Sequence, residues 1–230
     1  IYSTFLQRAY DQLIHDVAVQ NLDVTFALDR SGLVGEDGPT HSGNYDIAYL
    51  RCIPNMVICT PSDENETRKL LTTAYLHNGP ASVRYPRGTG PNSNVDKDLK
   101  PLKIGEANII NEESSEIVIL NFGTLLNEAN QISKELKATL VDMRFVKPLD
   151  EKLLRKLFKK AKVFISIEDG SIMGGAGSAV QEFASKENLN VRSILFGIPD
   201  KFIEHASREE MLVEAGLDVE NIKSKLSKLL

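Results

Sequence analysis

Residues 116–143, EIVILNFGTLLNEANQISKELKATLVDM, decide the fold class of this chain. The apolar runs EIVILNF and ATLVDM predict two buried strands. Between them, LNEANQISKEL carries apolar residues at helical spacing and predicts an amphipathic helix. Strands that alternate with helices are typical of parallel sheets covered on both faces. This stretch therefore predicts an α/β architecture.

The same alternation continues on both sides of that stretch. Further strands are predicted at VTFAL (24–28), MVICT (56–60), ASVRYP (81–86), KVFISIED (162–169) and VRSILFG (191–197). The helix after MVICT carries Asp63 as a predicted N-cap and Glu66 as its capping-box partner. Residues 88–103 contain two Gly and two Pro and lack apolar periodicity, which indicates a linker. We predict an α/β protein of two doubly wound domains, 1–87 and 104–230, joined by the linker 88–103.

The composition excludes several classes of function. The formal net charge of −5 argues against nucleic acid, whose binding depends on clustered Lys and Arg. No apolar run approaches the roughly 20 residues of a membrane span, so no membrane partner is expected. Cys52 and Cys59 form no CxxC pattern and have no paired His, which argues against a zinc site or a disulfide framework. A cytoplasmic protein fits this cysteine usage.

The loop DRSGLVGEDGPTHSG, residues 29–43, could be a wide turn, a metal loop, a cofactor motif or a catalytic loop. It lacks the D-x-D-x-D-G rhythm of a calcium loop. Because it follows a predicted strand, as the YPRG segment does, Arg30, Asp37, His41 and Arg87 are candidates to converge at the carboxyl edge of a sheet. A neutral imidazole suits acid–base chemistry, and paired guanidinium groups suit phosphate. Surface ion pairs and an isolated structural His remain the alternatives.

Two glycine-rich patterns resemble cofactor motifs without completing them. GSIMGGAGS, residues 170–178, lacks the Lys of a Walker loop and the third Gly of a dinucleotide fingerprint, which favours a tight strand-to-helix turn. The EDG at 36–38 has Glu36 where thiamine-diphosphate enzymes carry the first Gly of their GDG motif. We therefore expect no diphosphate motif and no metal ligands in this chain.

Seven strings distributed over the chain resemble one family. YSTFLQRAYDQ, DRSGLVGEDGPTH, TPSDENE, VRYPRG, NFGT, VDMRFVKPLD and IMGGAGS are similar to the C-terminal part of bacterial 1-deoxy-D-xylulose-5-phosphate synthases, which are transketolase-like. The resemblance implies a thiamine-diphosphate-dependent transferase that condenses pyruvate with D-glyceraldehyde 3-phosphate and releases CO₂. The product would enter non-mevalonate isoprenoid, thiamine and pyridoxal synthesis.

The resemblance also implies roles for single residues. Phe5 matches the aromatic residue that stacks on the thiamine pyrimidine, and Arg8 matches a neighbouring polar contact. Tyr2, Arg30 and Arg87 match residues that bind the phosphate of the aldehyde. The pair beside the carbonyl and hydroxyl groups of the acceptor would be Asp37 and His41. At IEDGSIMGG, residues 167–175, relatives commonly carry a second Glu and an Asn, and we expect this departure to tune the C-terminal domain rather than the reaction.

Other implied parts of the enzyme lie outside this chain. The resemblance places the GDG motif, its Mg²⁺ ligands and the Glu that protonates the aminopyrimidine in an upstream segment, so the chain alone is expected to be inactive. A homodimer is implied as well. The alternatives are a related transketolase, a β-type component of a 2-oxo-acid dehydrogenase, or a non-catalytic dimerisation module.

Overall fold

A computed structural model describes residues 1–90 and 96–230 of the protein, so residues 91–95 of the predicted linker lie outside the described residues. The described strands form two sheets. In the first, the order is β1-β3-β2-β7, where β1 is Thr25–Leu28, β2 is Val57–Cys59, β3 is Ala81–Arg84 and β7 is Phe145–Lys147. The strands β1, β3 and β2 are parallel, and β7 joins the edge antiparallel to β2.

The second sheet has five strands in the order β4-β6-β5-β8-β9. Their bounds are Asn108–Asn111 (β4), Ser114–Phe122 (β5), Ala138–Asp142 (β6), Val163–Ser171 (β8) and Arg192–Ile198 (β9). All neighbours are parallel except β4, which pairs antiparallel with β6 at the edge. The predicted α/β fold class with two sheets is confirmed, with an antiparallel strand added at one edge of each.

Helices cover the sheets. Those of the first half are α1 (Ser3–Leu6), α2 (Tyr10–Gln12), α3 (Asp46–Leu50) and α4 (Glu64–Tyr75). Those of the second half are α5 (Leu126–Leu136), α6 (Glu151–Phe158), α7 (Ala176–Lys186), α8 (Arg208–Ala215) and α9 (Val219–Leu229). A 3₁₀ turn at Gln7–Ala9 and a π turn at Leu13–Ala18 interrupt the helical segment that begins at Ser3. None of the described helices combines the length and apolar composition needed to cross a bilayer.

The two sheets are locked to each other. The strand β7 comes from the second half of the chain but completes the first sheet. Ser62, just before α4, donates its hydroxyl to Asp142 at the end of β6 (2.6 Å). Glu66 does not close the predicted capping box; its carboxylate accepts two hydrogen bonds from Arg144, at 2.7 and 2.9 Å. A bidentate pair of this kind fixes geometry as well as charge.

A shared apolar core lies between the sheets. Ile47 and Leu50 of α3 belong to the same buried cluster as Phe122 and Phe164 of the second sheet. Each of these four side chains is at most 1% exposed, so each contributes nearly its full apolar area. Burial of a side chain of this size is worth about 1.5–3 kcal/mol. Separation of the two sheets would expose this surface to water.

The buried carboxyl group of Asp142 makes the free energy of unfolding depend on pH. Burial raises the pKa of Asp142 from 3.8 to about 7. Because the folded protein resists ionisation of this carboxyl group, its contribution to stability is present below pH 3.8 and is lost as the pH rises to about 7. Glu168 adds a second contribution of the same sign, since burial raises its pKa to about 7.

We therefore predict that Asp142→Asn makes the free energy of unfolding less dependent on pH. Over the interval between pH 5 and pH 7, the variant should lose up to about 1.4 kcal/mol per pH unit of the wild-type slope. Urea unfolding at several pH values measures this. Asp200→Asn, at an exposed position, is the control and should keep the wild-type slope. An unchanged slope in Asp142→Asn would show that the buried carboxyl group is ionised at neutral pH.

Candidate active site

Residues 29–43 leave the end of β1 and form a loop whose two ends are held together. Gly32 and Gly43 exchange backbone hydrogen bonds of 2.9 Å in both directions. Ser31 donates its hydroxyl to Asp46 of α3 (3.3 Å). The loop is thus closed at its base, while Gly35–Asp37 form a 3₁₀ turn near its middle. This closure brings the candidate side chains back over the edge of the sheet, as their position after a strand predicts.

Three ring side chains form one half of the site. The rings of Tyr2 and Phe5 stack with centroids 5.1 Å apart and planes 12° apart. The imidazole of His41 meets Phe5 edge-on at 5.5 Å and lies 6.4 Å from Tyr2. Thr40 places its hydroxyl 2.9 Å from Nδ1 of His41. Phe5 remains 44% exposed, so part of its ring is free to contact a ligand.

Charged side chains form the other half. The guanidinium group of Arg30 lies 3.9 Å from the Tyr2 ring centroid, a cation–π contact that joins the two halves. Asp37 stands between two cations: its Oδ2 is 3.3 Å from Nε of Arg87 and 3.7 Å from Nε of Arg30. Arg30 also pairs with Asp29 at 2.8 Å, and its buried Nε has no hydrogen-bond partner. Six of the seven residues proposed from the sequence therefore form one connected set of contacts, in which each touches at least one of the others.

Arg8 is the exception. It lies exposed in the turn Gln7–Ala9. Among the described residues it makes no hydrogen bond or ion pair with the other six candidates. Its predicted role beside the cofactor stays a prediction.

A buried ion cluster lies beneath this site. Arg84, the last residue of β3, is 3% exposed and donates from Nε to Asp46 (2.9 Å), from Nη1 to Asp169 and from Nη2 to the Gly43 carbonyl (3.3 Å). Burial alone would lower the pKa of Arg84, but the carboxylates of Asp169 and Asp46 hold it above its ordinary value. In return, Arg84 holds the pKa of Asp169 below its ordinary value despite burial.

The segment EDG, residues 168–170, also contacts the first half of the chain. Asp169 comes from β8 of the second sheet yet pairs with Arg84 of the first, and it accepts a hydrogen bond from Thr124 (2.9 Å). Asp169 also lies directly beside Gly32 of the loop 29–43. The Cβ atom of any other residue at position 32 would be 2.9 Å from the carboxylate of Asp169. Asp169 therefore supports the loop that carries His41, and the expected effect of the departure on the C-terminal domain stays a prediction.

The glycine-rich segment GSIMGGAGS is a strand-to-helix turn, as predicted. Its helix start is occupied, because Glu168 accepts from the backbone N–H groups of Ala176 (2.8 Å) and Gly177 (2.9 Å). A Cβ on Gly175 would collide with this carboxylate, which explains the glycine. In this arrangement Glu168 occupies the amides that a phosphate loop would offer to a ligand.

Two adjoining cavities, of about 450 and 620 Å³, open beside the charged half of the site. Both are lined by Arg87, Gly88 and Arg208. Thr124 and Tyr85 line the smaller cavity, and the turn at Gly35 lines the larger one. Within the described residues, no group of three or more His, Cys, Asp or Glu side chains could hold a metal ion.

The sequence and the fold match known families. The transketolase pyrimidine binding domain matches residues 1–92, and the transketolase C-terminal domain matches residues 105–222, which is more than half of the chain. The chain belongs to the transketolase family. A solved structure described as a split gene transketolase, inactive beta4 tetramer, superposes with a TM-score of 0.83 at 25% identity, and the match covers 99% of this chain and 73% of that one.

More similar relatives carry a particular name. The 1-deoxy-D-xylulose-5-phosphate synthase of Pseudomonas fluorescens (strain Pf0-1) is 57% identical over 224 residues, 97% of this chain and 35% of the relative. The enzyme of the same name from Stutzerimonas stutzeri (strain A1501) is 59% identical over 231 residues, 100% of this chain and 36% of the relative. The chain thus spans about a third of the length of these curated relatives. The predicted resemblance to this family is confirmed.

Sequence reasoning missed the buried residues that support the site. Arg84 had one available signal, a cation inside the apolar strand run ASVRYP, which is costly to bury unless it is paired. Asp46 and Asp169 had no comparable signal. They are 38 and 85 residues from Arg84 in the sequence, so only the folded structure shows that they are its partners.

We predict that Gly32→Ala destabilises the protein more than Gly216→Ala does. Both glycines have a left-handed backbone, with φ values of +75° and +71°, so both variants carry a similar backbone strain of about 1–2 kcal/mol. A Cβ at position 216 meets nothing within 4 Å, whereas one at position 32 presses on Asp169. The additional loss should be about 1–3 kcal/mol, as for other overpacked sites. Equal midpoints of chemical unfolding would show that Asp169 can move away freely.

Proposed function

We propose that the chain is the C-terminal part of a 1-deoxy-D-xylulose-5-phosphate synthase, which condenses pyruvate and D-glyceraldehyde 3-phosphate with loss of CO₂. The observation that carries the proposal is the contact cluster of Tyr2, Phe5, Arg30, Asp37, His41 and Arg87. Identities of 56–59% to enzymes of that name support the choice within the transketolase family. The product would supply isoprenoid, thiamine and pyridoxal synthesis.

His41 is proposed as the proton donor to the acceptor. When a carbon nucleophile adds to the aldehyde carbon, the aldehyde oxygen becomes a hydroxyl and needs a proton, which an imidazole supplies near neutral pH. Thr40 lies beside Nδ1 of His41, so Nε2 is the ring nitrogen available to that oxygen. Asp37 is proposed to accept a hydrogen bond from the neighbouring hydroxyl of the acceptor and is itself held in place by Arg87.

Arg30 and Arg87 are proposed to bind the phosphate of the acceptor, with Tyr2 beside them. Guanidinium groups offer several donors in a fixed plane, which suits a phosphate dianion. The side chain of Arg30 is 23% exposed, and the exposed side chain of Arg87 faces two cavities. Because Asp29 and Asp37 already balance part of this charge, the phosphate would compete with carboxylates for the same donors.

The residues of this chain fit one end of thiamine diphosphate. Phe5 is stacked on Tyr2 and yet 44% exposed, so its ring can pack against the aminopyrimidine, with Arg8 as a neighbouring polar contact. When bound, the cofactor supplies the electron sink that the decarboxylation of pyruvate requires. The diphosphate and Mg²⁺ would be held by the upstream segment.

Several further features belong to the same proposal. We propose a pyrimidine-binding domain at 1–87, a linker at 88–103 and a C-terminal domain at 104–230. The active form would be a cytoplasmic homodimer that includes the upstream segment, and this chain alone would be inactive. A related transketolase or a β-type component of a 2-oxo-acid dehydrogenase is the alternative enzyme. The formation of 1-deoxyxylulose 5-phosphate by the full-length protein, given pyruvate and glyceraldehyde 3-phosphate, separates these possibilities.

A second candidate function is assembly without catalysis. It is favoured by the solved relative described as an inactive beta4 tetramer, whose fold matches 99% of this chain. A role in assembly alone predicts that the full-length protein releases no CO₂ from pyruvate. Release of CO₂ that depends on added thiamine diphosphate would exclude it.

We predict that His41→Ala slows product formation by about 10²-fold or more, the size of a lost general acid. The assay follows kcat with the full-length protein at saturating substrates. His15→Ala is the matched control, because the side chain of His15 is 69% exposed and, within residues 1–90 and 96–230, its ring pairs only with Asp11. A rate near that of wild type in His41→Ala would remove this imidazole from the reaction.

We predict that Arg87→Ala raises KM for glyceraldehyde 3-phosphate by about tenfold or more and changes KM for pyruvate much less. The reason is the loss of a charge-assisted hydrogen bond to the phosphate. Arg155→Ala is the control: its side chain is 41% exposed, compared with 42% for Arg87, and it pairs with Glu151 and Glu187. Equal changes in both KM values would contradict the phosphate assignment.

A further inference from the structure

A cation of the second half of the chain lies at the same cavities as Arg87. Arg208, the first residue of α8, lines both cavities that Arg87 lines. Its backbone N lies close to Gly35, 3.6 Å from the position that a Cβ atom would take there. Nη1 of Arg87 donates to the carbonyl of the preceding residue, Val34, at 3.5 Å. The guanidinium group of Arg87 and the backbone of Arg208 therefore both adjoin residues 34–37, and both residues line the same two cavities.

Arg208 occupies a position that helix electrostatics disfavour. The start of a helix carries partial positive charge, so acidic residues are preferred there and cations are destabilising. Ser207 and Glu210 already complete a capping box at this helix start, so the guanidinium of Arg208 contributes nothing to capping. Among the described residues Arg208 forms no ion pair within 4 Å, although its charge, together with that of Arg84, helps to hold the pKa of the buried Asp169 below its ordinary value.

The side chain of Arg208 is nevertheless held in place. Its Nη2 donates to the hydroxyl of Thr124 (3.3 Å), and that hydroxyl donates in turn to Asp169 (2.9 Å). Asp169 is fixed by Arg84 in the buried cluster. This contact uses one N–H group of the guanidinium. Its other N–H groups remain available as hydrogen-bond donors. A cation that is anchored, half-buried and without a direct carboxylate partner is suited to an anionic ligand.

We infer that Arg208 contacts the phosphate of the acceptor substrate and contributes to the choice of a phosphorylated aldehyde. This inference rests on the proposed function. Arg30 and Arg87 would approach the phosphate from the loop side of the site, and Arg208 would approach it from the second half of the chain. The phosphate would thus bridge the two halves of the protein.

The test compares two acceptors and one free anion. In the full-length protein, Arg208→Gln should lower kcat/KM for D-glyceraldehyde 3-phosphate by about tenfold, the effect of one lost charge-assisted hydrogen bond. The value for unphosphorylated D-glyceraldehyde should change less than twofold, and Arg208→Lys should recover part of the loss. Arg192→Gln, an exposed arginine that donates to the Leu229 carbonyl, is the control.

Calorimetric titration with inorganic phosphate gives a second readout that needs no turnover. Arg208→Gln should weaken phosphate binding about tenfold, and Arg192→Gln should leave it unchanged. Equal losses of kcat/KM for both aldehydes, or unchanged phosphate affinity, would overturn the role of Arg208. If the wild-type protein makes no product from any acceptor, the proposed reaction fails, and the phosphate titration still decides whether Arg208 belongs to an anion site.

Discussion

The buried guanidinium of Arg84 is the constraint on which the rest of the structure depends. A cation taken out of water is costly unless its charge and all its donors are matched, and removal of one partner from such a group costs about 3–5 kcal/mol. Here the partners are Asp46, Asp169 and the Gly43 carbonyl, which belong to a helix, to the other sheet and to the candidate loop. One side chain therefore fixes three parts of the molecule relative to one another.

Two adjacent acids at this centre have different partners and so different acid strengths. Asp169 faces Arg84 and has a lowered pKa, whereas burial raises the pKa of Glu168 to about 7 although two backbone N–H groups bind it. The ionised Asp169 completes the charge balance below the loop. The neighbouring Glu168 holds the start of α7 instead. The difference follows from the side of β8 on which each residue lies, since successive residues of a strand point to opposite faces.

The sequence predicted those features that depend on local pattern. Apolar runs and helical spacing gave the main strands and helices, and position after a strand brought Arg30, Asp37 and His41 to one edge. The edge strands β4 and β7 were not predicted, because each contains only two adjacent apolar residues between polar ones and no longer apolar run such as VTFAL or MVICT. Nor were the partners of Arg84 and Glu66, because the matching charges lie tens of residues away. Long-range pairing of charges is determined by the tertiary structure, which local patterns do not encode.

Because of the strand β7, the first half of the chain depends on the second half to complete its sheet. This strand covers the edge of β2 with a segment that lies downstream of the first sheet in the chain. If residues 1–90 were produced alone, β2 would present unpaired N–H and C=O groups at an open edge, which is a template for pairing with other chains and for aggregation. A gene that was divided between the two sheets would therefore leave this edge of the first half exposed to such pairing, unless the second half were made at the same time.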